Sequence, residues 1–513
     1  MKRSHCTILS LLAVALLFAG CEKDGVRRLP VRLQPFSSGA KVYLDANIAP
    51  VWNDGDQINI NGNAETVDVP NATVVVTTSD ATLYACYPAS AVNSYHAASF
   101  DITLPTVQTY TVDASGHQCL AAPMAATGSD RLDFYNLCAL VQVQVPAGMK
   151  VKYIDLATTD AAPLSGQGQV TFAGATPAFA FTVGHTYPYT RLDCGNGVVR
   201  ADNKFYITVP AVSGKRFTIT LCVVDNGHTY RRSVTQRSAA SLAVSQYGPA
   251  LLSFNLASMT DITPPTNALA EVFSLGASTQ VYFSKGNLQY RGSSPAWQFA
   301  PAQYIVLGDD NRNIAEGYTG WIDLFGWGTT GQSECPKPWY TYSNTSEYVI
   351  NNNLNNSMDA SHDWGANTIS GTRGWRTPSR SEWEYLINGR PDAANKKAAA
   401  VVYDVRGLLL LPDYWILPAN CTFTTSDTNR YNSAQWTQMQ RHGALFLPAS
   451  GYRDVATLHS VNEQGWYWSS ERSNNTQSYA LKVLDTPPSM VIVENVEVSR
   501  AFGCSVRLVK NRE

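Results

Sequence analysis

The sequence GWRTPSRSEWEYL, residues Gly374–Leu386, predicts a loop that ends in a tightly capped helix. Pro378 disfavours helical geometry in the residue before it. Ser379 is a preferred N-cap residue, and Glu382 three positions later completes a reciprocal capping box. Trp383 begins an apolar stripe that continues three and four residues later, which is the spacing of one helix face. The stretch therefore predicts a short helix packed on a core.

Length and composition describe a large, weakly charged chain. The length of 513 residues corresponds to about three or four domains of ordinary size. Hydrophobic residues make up 44% of the chain and charged residues 15%, so there is enough apolar material for large cores. The formal net charge of −2 gives no sign of a nucleic-acid partner. The 26 Tyr and 12 Trp residues are typical of a β-rich exported protein that uses aromatic side chains for contact.

Residues 1–21 have the pattern of a bacterial export signal. Lys2 and Arg3 form a positive start, and the apolar run Ile8–Phe18 is too short to cross a bilayer as a helix. The run ends in LFAGC, which resembles the cleavage site of bacterial lipoprotein signals. This resemblance implies that Cys21 becomes the lipidated N-terminus of a protein anchored in the outer membrane and exposed at the cell surface. An ordinary secretory signal with an incidental cysteine is the alternative.

The pattern between residues 36 and 256 predicts two successive β-sandwiches. After a polar tether at residues 22–35, short alternating segments are separated by turn residues, as in TVVVTTS and SFDITLP. Leu137–Pro146 (LCALVQVQVP) has the clearest alternation, and helical periodicity is almost absent. We place the first sandwich at residues 36–147 and the second at 148–256, divided near Gly148 and followed by a linker at 257–270. The predicted fold class is mainly β.

Several motifs in this region resemble the fimbrillin-like subunits of type V pili. They are VWNDGDQINING at Val51–Gly62, NLCALVQVQV, PLSGQG, and the pair FYITVP and FTITL. The resemblance covers Pro35–Leu256 and implies two transthyretin-like sandwiches that join other pilin subunits by donor-strand exchange. It further implies that a protease cleaves after an arginine to remove the first strand, and Arg27 or Arg28 fits such a cut.

Residues 271–513 carry a different pattern of strands, two helices, long loops and closing strands. The second helix is predicted at Ser433–His442 (SAQWTQMQRH), closed by Gly443. GWRTPSRSEWEYL, FLPASGYR, YWSSE and SVRLV resemble the C-type lectin-like superfamily and its bacterial major paralogous domain family. This resemblance covers Val272–Lys510 and implies an α+β C-type lectin-like domain whose late loops form one binding face.

The sequence carries no recognisable catalytic or cofactor motif. GxSxG, HExxH and P-loop patterns are missing, and the GxGxxG match at Gly326–Gly331 is followed by prolines rather than by a helix. Asp309–Asn313 has oxygen-bearing side chains but lacks the glycine and glutamate of a calcium loop. Formylglycine-generating enzymes, which share the lectin-like resemblance, use a cysteine pair where this chain has only Cys504. We therefore expect a non-enzyme without a metal or cofactor.

The late loops of the lectin-like region combine aromatic side chains with Arg, Asn and Glu, which is the composition of recognition surfaces. The candidate ligand-binding residues are Tyr452, Arg453, Trp466, Tyr467, Trp468, Glu471, Arg472, Asn474 and Asn475. Because Tyr467 stands between Trp466 and Trp468 in a strand-like pattern, at least one side of that strand is expected to face the core.

These features predict a cell-surface adhesin, in particular a pilus tip subunit of a fimbrium that presents its lectin-like domain to a host or bacterial surface glycan or protein. The C-terminal domain leaves no free strand to donate, which suits the terminal position. The alternative is a permanently lipidated protein that binds glycan or protein without assembling. The mature N-terminus separates these two, because it lies near Leu29 after cleavage and at Cys21 without it. An enzyme is a third possibility, which the missing motifs disfavour.

Overall fold

The protein is mainly β, as the sequence predicts. The computed structural model describes residues 27–34, 52, 55–112, 116, 118–120, 122–174, 176–243, 247–251, 256–332, 335–340, 350, 352–354, 360–486 and 490–512. Cys21 and the predicted signal peptide lie outside these residues. The chain divides into two compact units. Unit 1 comprises Met1–Gly227 and Arg231–Met259, and unit 2 comprises His228–Tyr230 and Thr260–Glu513.

Strands account for nearly all regular structure in the described part of unit 1, where they are given together with β22, whose first three residues are assigned to unit 2. They are β1 Arg27–Gln34, β2 Gln57–Ile60, β3 Asn63–Thr66, β4 Thr73–Thr78, β5 Leu83–Tyr87, β6 Val92–Tyr95, β7 Ser99–Leu104, β8 Val107–Thr109, β9 Thr111–Val112, β10 Gln118–Cys119, β11 Met124–Gly128, β12 Arg131–Asp133, β13 Tyr135–Asn136, β14 Cys138–Gln144, β15 Val151–Thr158, β16 Ser165–Thr171, β17 Ala178–Tyr187, β18 Tyr189–Val198, β19 Lys204–Pro210, β20 Val212–Lys215, β21 Phe217–Asp225, β22 His228–Thr235, β23 Ala240–Leu242 and β24 Tyr247–Leu251. Short 3-10 turns lie at Val69–Asn71, Ala89–Ala91 and Leu256–Ser258.

Two sheets enclose the first apolar core of unit 1. Their strand orders are β12-β1-β4 and β13-β11-β5-β2-β3. β4 shows why the sequence forms this layer, because Val74 and Val76 are buried while Val75 between them is 43% exposed. Trp52 lies in the same core, with its ring centre 5.3 Å from that of Tyr87.

The remaining sheets of unit 1 do not begin at the predicted boundary near Gly148. Their main strand orders are β19-β14-β24, β22-β21-β15-β18-β8 and β17-β16-β7-β6. β7 and β8 precede residue 148, yet β7 pairs with β16 and β8 pairs with β18. Gly148, with φ +77°, is a turn residue between β14 and β15. The division at residues 147 and 148 therefore does not separate the sheets, because a local turn signal does not specify long-range strand pairing.

Unit 2 combines short strands with helices. Its described strands are β25 Thr260–Asp261, β26 Phe273–Ser274, β27 Gln280–Phe283, β28 Leu288–Arg291, β29 Ala296–Phe299, β30 Lys397–Val402, β31 Val405–Leu410, β32 Asn429–Tyr431, β33 Leu445–Pro448, β34 Tyr452–Asp454, β35 Thr457–His459, β36 Gln464–Arg472, β37 Gln477–Thr486, β38 Met490–Ser499 and β39 Val509–Asn511. Its described helices are α1 Arg380–Glu384, which continues as a π-helical turn at Tyr385–Gly389, and α2 Ser433–Arg441, with 3-10 turns at Gly308–Arg312, Ala360–His362, Trp364–Ala366 and Ala393–Lys396.

The predicted capping box at the start of α1 is present. Ser379 Oγ accepts from the Glu382 amide at 3.1 Å, and the Glu382 carboxylate accepts from the Ser379 amide at 2.8 Å. Arg376 donates to the same carboxylate through two N–H groups, each at 2.6 Å. Buried Asp363 accepts from the Thr377 amide at 3.0 Å. The loop that enters the helix is therefore held by charge-assisted hydrogen bonds on both sides.

Two apolar cores flank the sheet with strand order β36-β37-β38. Trp468 of β36 belongs to one core together with Trp327, here called the Trp327 core. Its neighbour Tyr467 belongs to the other core together with Trp383 of α1, here called the Trp383 core. Because successive residues of a strand point to opposite faces, this sheet separates the two cores.

Candidate functional site

Four aromatic side chains of unit 2 form a surface cluster, here called the aromatic patch. Its members are Tyr452 on β34, His459 on β35, Trp466 on β36 and Phe502, and each is partly exposed. The Tyr452 ring stacks on the His459 ring at 4.9 Å and on the Phe502 ring at 5.2 Å, with interplanar angles of 19° and 24°. The Trp466 ring lies 5.1 Å from the Tyr452 ring at a tilt of 56°. The patch therefore offers ring surface to solvent.

Polar side chains hold Trp466 in place. Its indole Nε1 donates to Gln464 Oε1 at 3.2 Å. Lys482 Nζ lies 5.1 Å from the ring centre, where a cation is attracted by the quadrupole of the indole. These contacts restrict the rotamer of Trp466, which lowers the entropic cost of a contact with a ligand.

Arg453 supports the aromatic patch from inside the molecule. Its Nη1 donates to Val455 O at 2.8 Å and its Nη2 donates to Leu324 O at 3.0 Å. Its backbone exchanges hydrogen bonds with Gly503 at 2.9 and 2.8 Å, next to Phe502. The prediction that Arg453 contacts a ligand is wrong, because its side chain is completely buried. Arg453 instead positions the segments that carry the patch.

The prediction that Tyr467 and Trp468 contact a ligand is also wrong, because both side chains are 0% exposed. Tyr467 OH donates to Pro448 O at 2.6 Å, and Trp468 Nε1 donates to Phe325 O at 2.6 Å. The physical reason is the position of β36 between the Trp327 core and the Trp383 core. Both faces of the strand are buried at this point, so these residues stabilise the fold.

The remaining predicted residues lie at the far end of β36 and in the turn that follows it: Glu471, Arg472, Asn474 and Asn475. Arg472 is six residues beyond Trp466, which is roughly 20 Å along an extended strand. The structure thus brings Tyr452 and Trp466 together and leaves this second group apart.

The turn after β36 uses its asparagines for its own structure. Asn474 Oδ1 accepts from the Thr476 amide at 2.9 Å and from the Gln477 amide at 3.0 Å. Asn475 Oδ1 accepts from Arg472 Nη2 at 2.9 Å. Asparagine side chains that bond to the backbone in this way stabilise turns. We infer that this turn is pre-organised, while its exposed residues remain a smaller candidate surface.

Residues that complete or support these surfaces were outside the sequence prediction: His459, Phe502, Lys482 and Arg500. Arg500 Nη1 donates to Ile350 O at 2.9 Å and its Nε donates to Ser478 Oγ at 3.1 Å, while its guanidinium lies 4.4 Å from the Trp327 ring centre. No local signal identifies these residues, because their contacts arise from pairing between distant segments. The one available hint is that His459 and Phe502 are aromatic residues near predicted turns, where they could join a surface cluster.

Ser94, His96 and Asp101 of unit 1 have the residue types of a hydrolytic triad but not its geometry. Ser94 Oγ lies 3.0 Å and Asp101 Oδ2 lies 2.9 Å from the same ring atom, His96 Nε2. A triad needs the serine and the aspartate on opposite ring nitrogens, so that the imidazole can take the serine proton while the aspartate holds it. This cluster is therefore a local network on the β6–β7 hairpin.

The segment Asp309–Asn313, weighed in the sequence as a weak calcium site, uses its oxygen atoms for internal contacts. Asn311 Oδ1 accepts from the Asp323 and Leu324 amides at 2.8 and 2.9 Å. The Asp323 carboxylate accepts from Asn311 Nδ2 at 2.7 Å and from the Leu307 amide at 3.3 Å. Within the described residues, no group of three or more His, Cys, Asp or Glu side chains is placed to hold a metal ion.

We expect Asp323 to make the stability of unit 2 depend on pH. Burial raises the pKa of this carboxyl to about 6 in the folded protein, above about 4 in an unfolded chain. The folded state therefore binds the proton more tightly, and the contribution of Asp323 to stability falls as pH rises from about 4 to 6, by roughly 3 kcal/mol. Denaturant unfolding across this range should show that fall in wild type relative to Asp323→Asn. Parallel pH profiles for the two proteins would refute the assignment.

Two further observations concern the reactivity of Cys504 and the length of the described helices. Burial raises the pKa of the Cys504 thiol well above its usual range, so the thiol stays protonated and is a poor nucleophile. In the described part of the chain, no helix is both long enough and apolar enough to cross a membrane.

No family model matches the chain, and no curated protein matches it. Among solved structures, the chain is similar to a "putative cell adhesion protein" from Bacteroides uniformis ATCC 8492, at 13% identity and a TM-score of 0.27, over 46% of this chain and 95% of that chain. It is also similar to a "putative adhesin" from Bacteroides ovatus ATCC 8483, at 6% identity and a TM-score of 0.17, over 50% of this chain and 95% of that chain. TM-scores this low carry no argument about fold or function.

Proposed function

We propose that the protein is a cell-surface adhesin and that the aromatic patch of unit 2 is its ligand-binding site. The observation that carries the proposal is that the Tyr452 ring stacks with the His459 ring and with the Phe502 ring, and that Trp466 lies beside it. Large aromatic side chains are often at least partly buried in cores, so a cluster of partly exposed rings favours contact with a partner. The buried anchor Arg453 keeps the cluster in one geometry.

The chemistry of the aromatic patch favours a glycan as the ligand. An aromatic face can pack against the C–H face of a sugar ring, and adjacent polar groups can bond to the sugar hydroxyls. Gln464 and Lys482 supply an amide and an ammonium group beside Trp466. The C-type lectin-like resemblance of residues 271–513 agrees with this assignment. A surface protein that packs on the same rings is the alternative ligand.

The test is a screen of the purified protein against immobilised glycans and against host and bacterial cells. We expect Tyr452→Ala and Trp466→Ala each to weaken binding by about tenfold or more, because central aromatic contacts carry much of the energy of an interface. Tyr187→Ala is the matched control, since Tyr187 is a partly exposed tyrosine of unit 1 whose ring centre lies 5.6 Å from that of Tyr189, at a tilt of 36°. Wild-type affinity in the two patch variants would refute the site.

We further propose that the adhesin occupies a pilus tip and that unit 1 accepts a strand from a neighbouring subunit. This rests on the fimbrillin-like resemblance and on the position of β1. In one sheet, β1 pairs antiparallel with β4 through Arg27–Arg32 and parallel with β12 through Arg32–Gln34. A strand that replaced β1 would therefore find backbone partners on both sides.

The predicted cleavage residues Arg27 and Arg28 lie at the start of β1. A cut after Arg28 releases Cys21 and its predicted lipid but leaves Leu29–Gln34 attached to the chain. Displacement of the rest of β1 by a donated strand would then be a separate step. Mass spectrometry of the mature N-terminus distinguishes the alternatives, because Leu29 supports assembly and lipidated Cys21 supports a resident lipoprotein.

A further inference from the structure

A second group of aromatic rings lies at the surface of unit 2, formed by Tyr304 and Tyr403 and here called the tyrosine pair. The two ring centres are 4.3 Å apart, and the ring planes are inclined by 30°. Tyr403 is 46% exposed and Tyr304 is partly exposed. Burial and the neighbouring hydroxyl of Tyr403, with which it shares a hydrogen bond, raise the pKa of Tyr304 above its ordinary value. The tyrosine pair therefore presents ring surface and two adjacent hydroxyl groups.

The backbone of Tyr403 has a conformation that a bulky side chain disfavours. Tyr403 and Asp404 form the two-residue turn between β30 and β31, with φ angles of +49° and +64°. Hairpin turns with positive φ at both central positions favour asparagine and glycine, and a bulky residue there is an outlier. Turn formation alone therefore does not account for a tyrosine at this position. An exposed ring that is held in a sparsely populated backbone conformation is a candidate functional residue.

The turn at Tyr403 is fastened to the segment that follows β35. Asn462 Nδ2 donates to Asp404 O at 3.3 Å, and Asn462 Oδ1 accepts from the Arg406 amide at 2.7 Å. Because Asn462 follows His459 of the aromatic patch by three residues, their Cα atoms are at most roughly 11 Å apart. With the asparagine side chain and the turn included, the Cα atoms of Tyr403 and His459 are at most roughly 25 Å apart.

A second connection between the tyrosine pair and β35 runs through Tyr304. The 3-10 turn Gly308–Arg312 begins four residues after Tyr304, and Cα atoms of this turn lie within 8 Å of Cα atoms of β35. Along the chain between β35 and the contact with Asp404, Ser460 is partly exposed, and Val461 and Asn462 are exposed. Both members of the tyrosine pair are thus connected to β35, and the segment between the two ring clusters lies at the surface.

We propose that the tyrosine pair is a further contact of the ligand-binding site, and that the ligand is a glycan chain of several sugars rather than a single terminal sugar. This inference rests on the proposed function, because it extends the glycan-binding surface beyond the aromatic patch. Aromatic rings at two places on one connected surface allow a chain to pack a different sugar ring on each. The hydroxyl groups of Tyr304 and Tyr403 can exchange hydrogen bonds with sugar hydroxyls. Two contacts within one chain reinforce each other, because the second forms intramolecularly once the first is made.

The test measures binding of the full chain to oligomers of galactose, mannose and N-acetylglucosamine, each from the monosaccharide to the hexasaccharide. We expect affinity for the recognised sugar to rise about tenfold or more from the shortest to the longest oligomer, because only the longer chain gains the contact with the tyrosine pair. Equal affinity for all lengths would overturn the proposal and leave the aromatic patch as the whole site. Failure of every oligomer to bind would overturn the glycan assignment itself, and this extension with it.

Substitutions at Tyr403 separate the two ring clusters. Tyr403→Asn removes the ring and suits the turn, because asparagine is favoured at this position. This variant should bind the hexasaccharide about tenfold more weakly and the monosaccharide as well as wild type does, whereas Tyr452→Ala should weaken binding at every length. Tyr403→Phe keeps the ring and should retain most of the dependence on length. Tyr187→Ala in unit 1 is the control and should change neither affinity.

Thermal unfolding shows whether the ring of Tyr403 serves the fold instead. We expect the Tm of Tyr403→Asn to stay close to that of wild type, because the better turn residue offsets the lost contact with Tyr304. Wild-type affinity of Tyr403→Asn for the hexasaccharide would overturn the proposal, and a lowered Tm in that case would assign the ring to the fold. Loss of binding in Tyr452→Ala would still support the aromatic patch.

Discussion

Replacing Asp155 with alanine should destabilise unit 1 by about 3–5 kcal/mol, because it removes the carboxylate that neutralises the buried guanidinium of Arg191. Asp155 and Arg191 are directly opposite on β15 and β18. Arg191 Nε and Nη2 donate to the two carboxylate oxygens at 2.7 and 2.9 Å, and the side chains are only 3% and 10% exposed. The guanidinium also lies 3.8 Å from the Tyr153 ring centre. Denaturant unfolding of the purified variant measures the loss.

The control for the Asp155→Ala variant is a substitution in a more exposed ion pair of the same unit. Arg131 and Asp133 form an ion pair with side chains 53% and 35% exposed, so Asp133→Ala should change stability by about 1 kcal/mol or less. The double variant Asp155→Leu, Arg191→Met should recover most of the lost stability, since it removes the charge together with its partner. A double variant as unstable as Asp155→Ala would show that packing, rather than charge, holds this site.

Replacing Trp468 with alanine should destabilise unit 2 by about 3–5 kcal/mol, as expected for the loss of a fully buried tryptophan. The indole is 0% exposed in the Trp327 core, and its removal also leaves Phe325 O without the hydrogen bond at 2.6 Å. Replacing Trp466, two residues earlier on the same face, with alanine should lower the free energy of unfolding by only about 1 kcal/mol, because Trp466 is partly exposed. Thermal and denaturant unfolding of the two variants provide the comparison.

In ligand binding, the order of the two tryptophan variants should be reversed: the variant that loses less stability should lose more affinity. Trp466→Ala should lose affinity while it stays folded, and Trp468→Ala should bind normally in proportion to its folded fraction. If Trp468→Ala folded as well as wild type but lost affinity, the assignment of Trp468 to the core rather than to the ligand surface would be refuted.

Local features of the fold were predictable from the sequence. The Ser379–Glu382 capping box depends on residues three positions apart, and it forms as predicted. α2 begins at Ser433 as predicted, although its cap is a second box, formed by Asn432 and Gln435, that the periodicity alone did not indicate. The alternating valines of β4 likewise identify a strand with one buried face. Each of these signals is contained within a few residues of the chain.

Long-range features were not predictable in the same way. The alternation around Tyr467 predicted that at least one side of β36 faces a core, but nothing local shows that both Tyr467 and Trp468 are buried because β36 lies between two cores. His459 and Phe502 joined Tyr452 only through strand pairing and a backbone contact with Gly503. The sheets of unit 1 failed to divide at Gly148 for the same reason. The sequence therefore named Tyr452 and Trp466, two members of the aromatic patch, while the arrangement of the patch became visible only in the fold.

Hydroxyl-radical footprinting of the full chain, with and without the glycan that the screen identifies, shows which side chains the ligand covers. We expect bound ligand to protect Tyr452, His459, Trp466 and Phe502, whereas unit 1 and the turn after β36 keep their reactivity. Protection confined to unit 1 or to that turn, with the four rings as reactive as in the free protein, would contradict it.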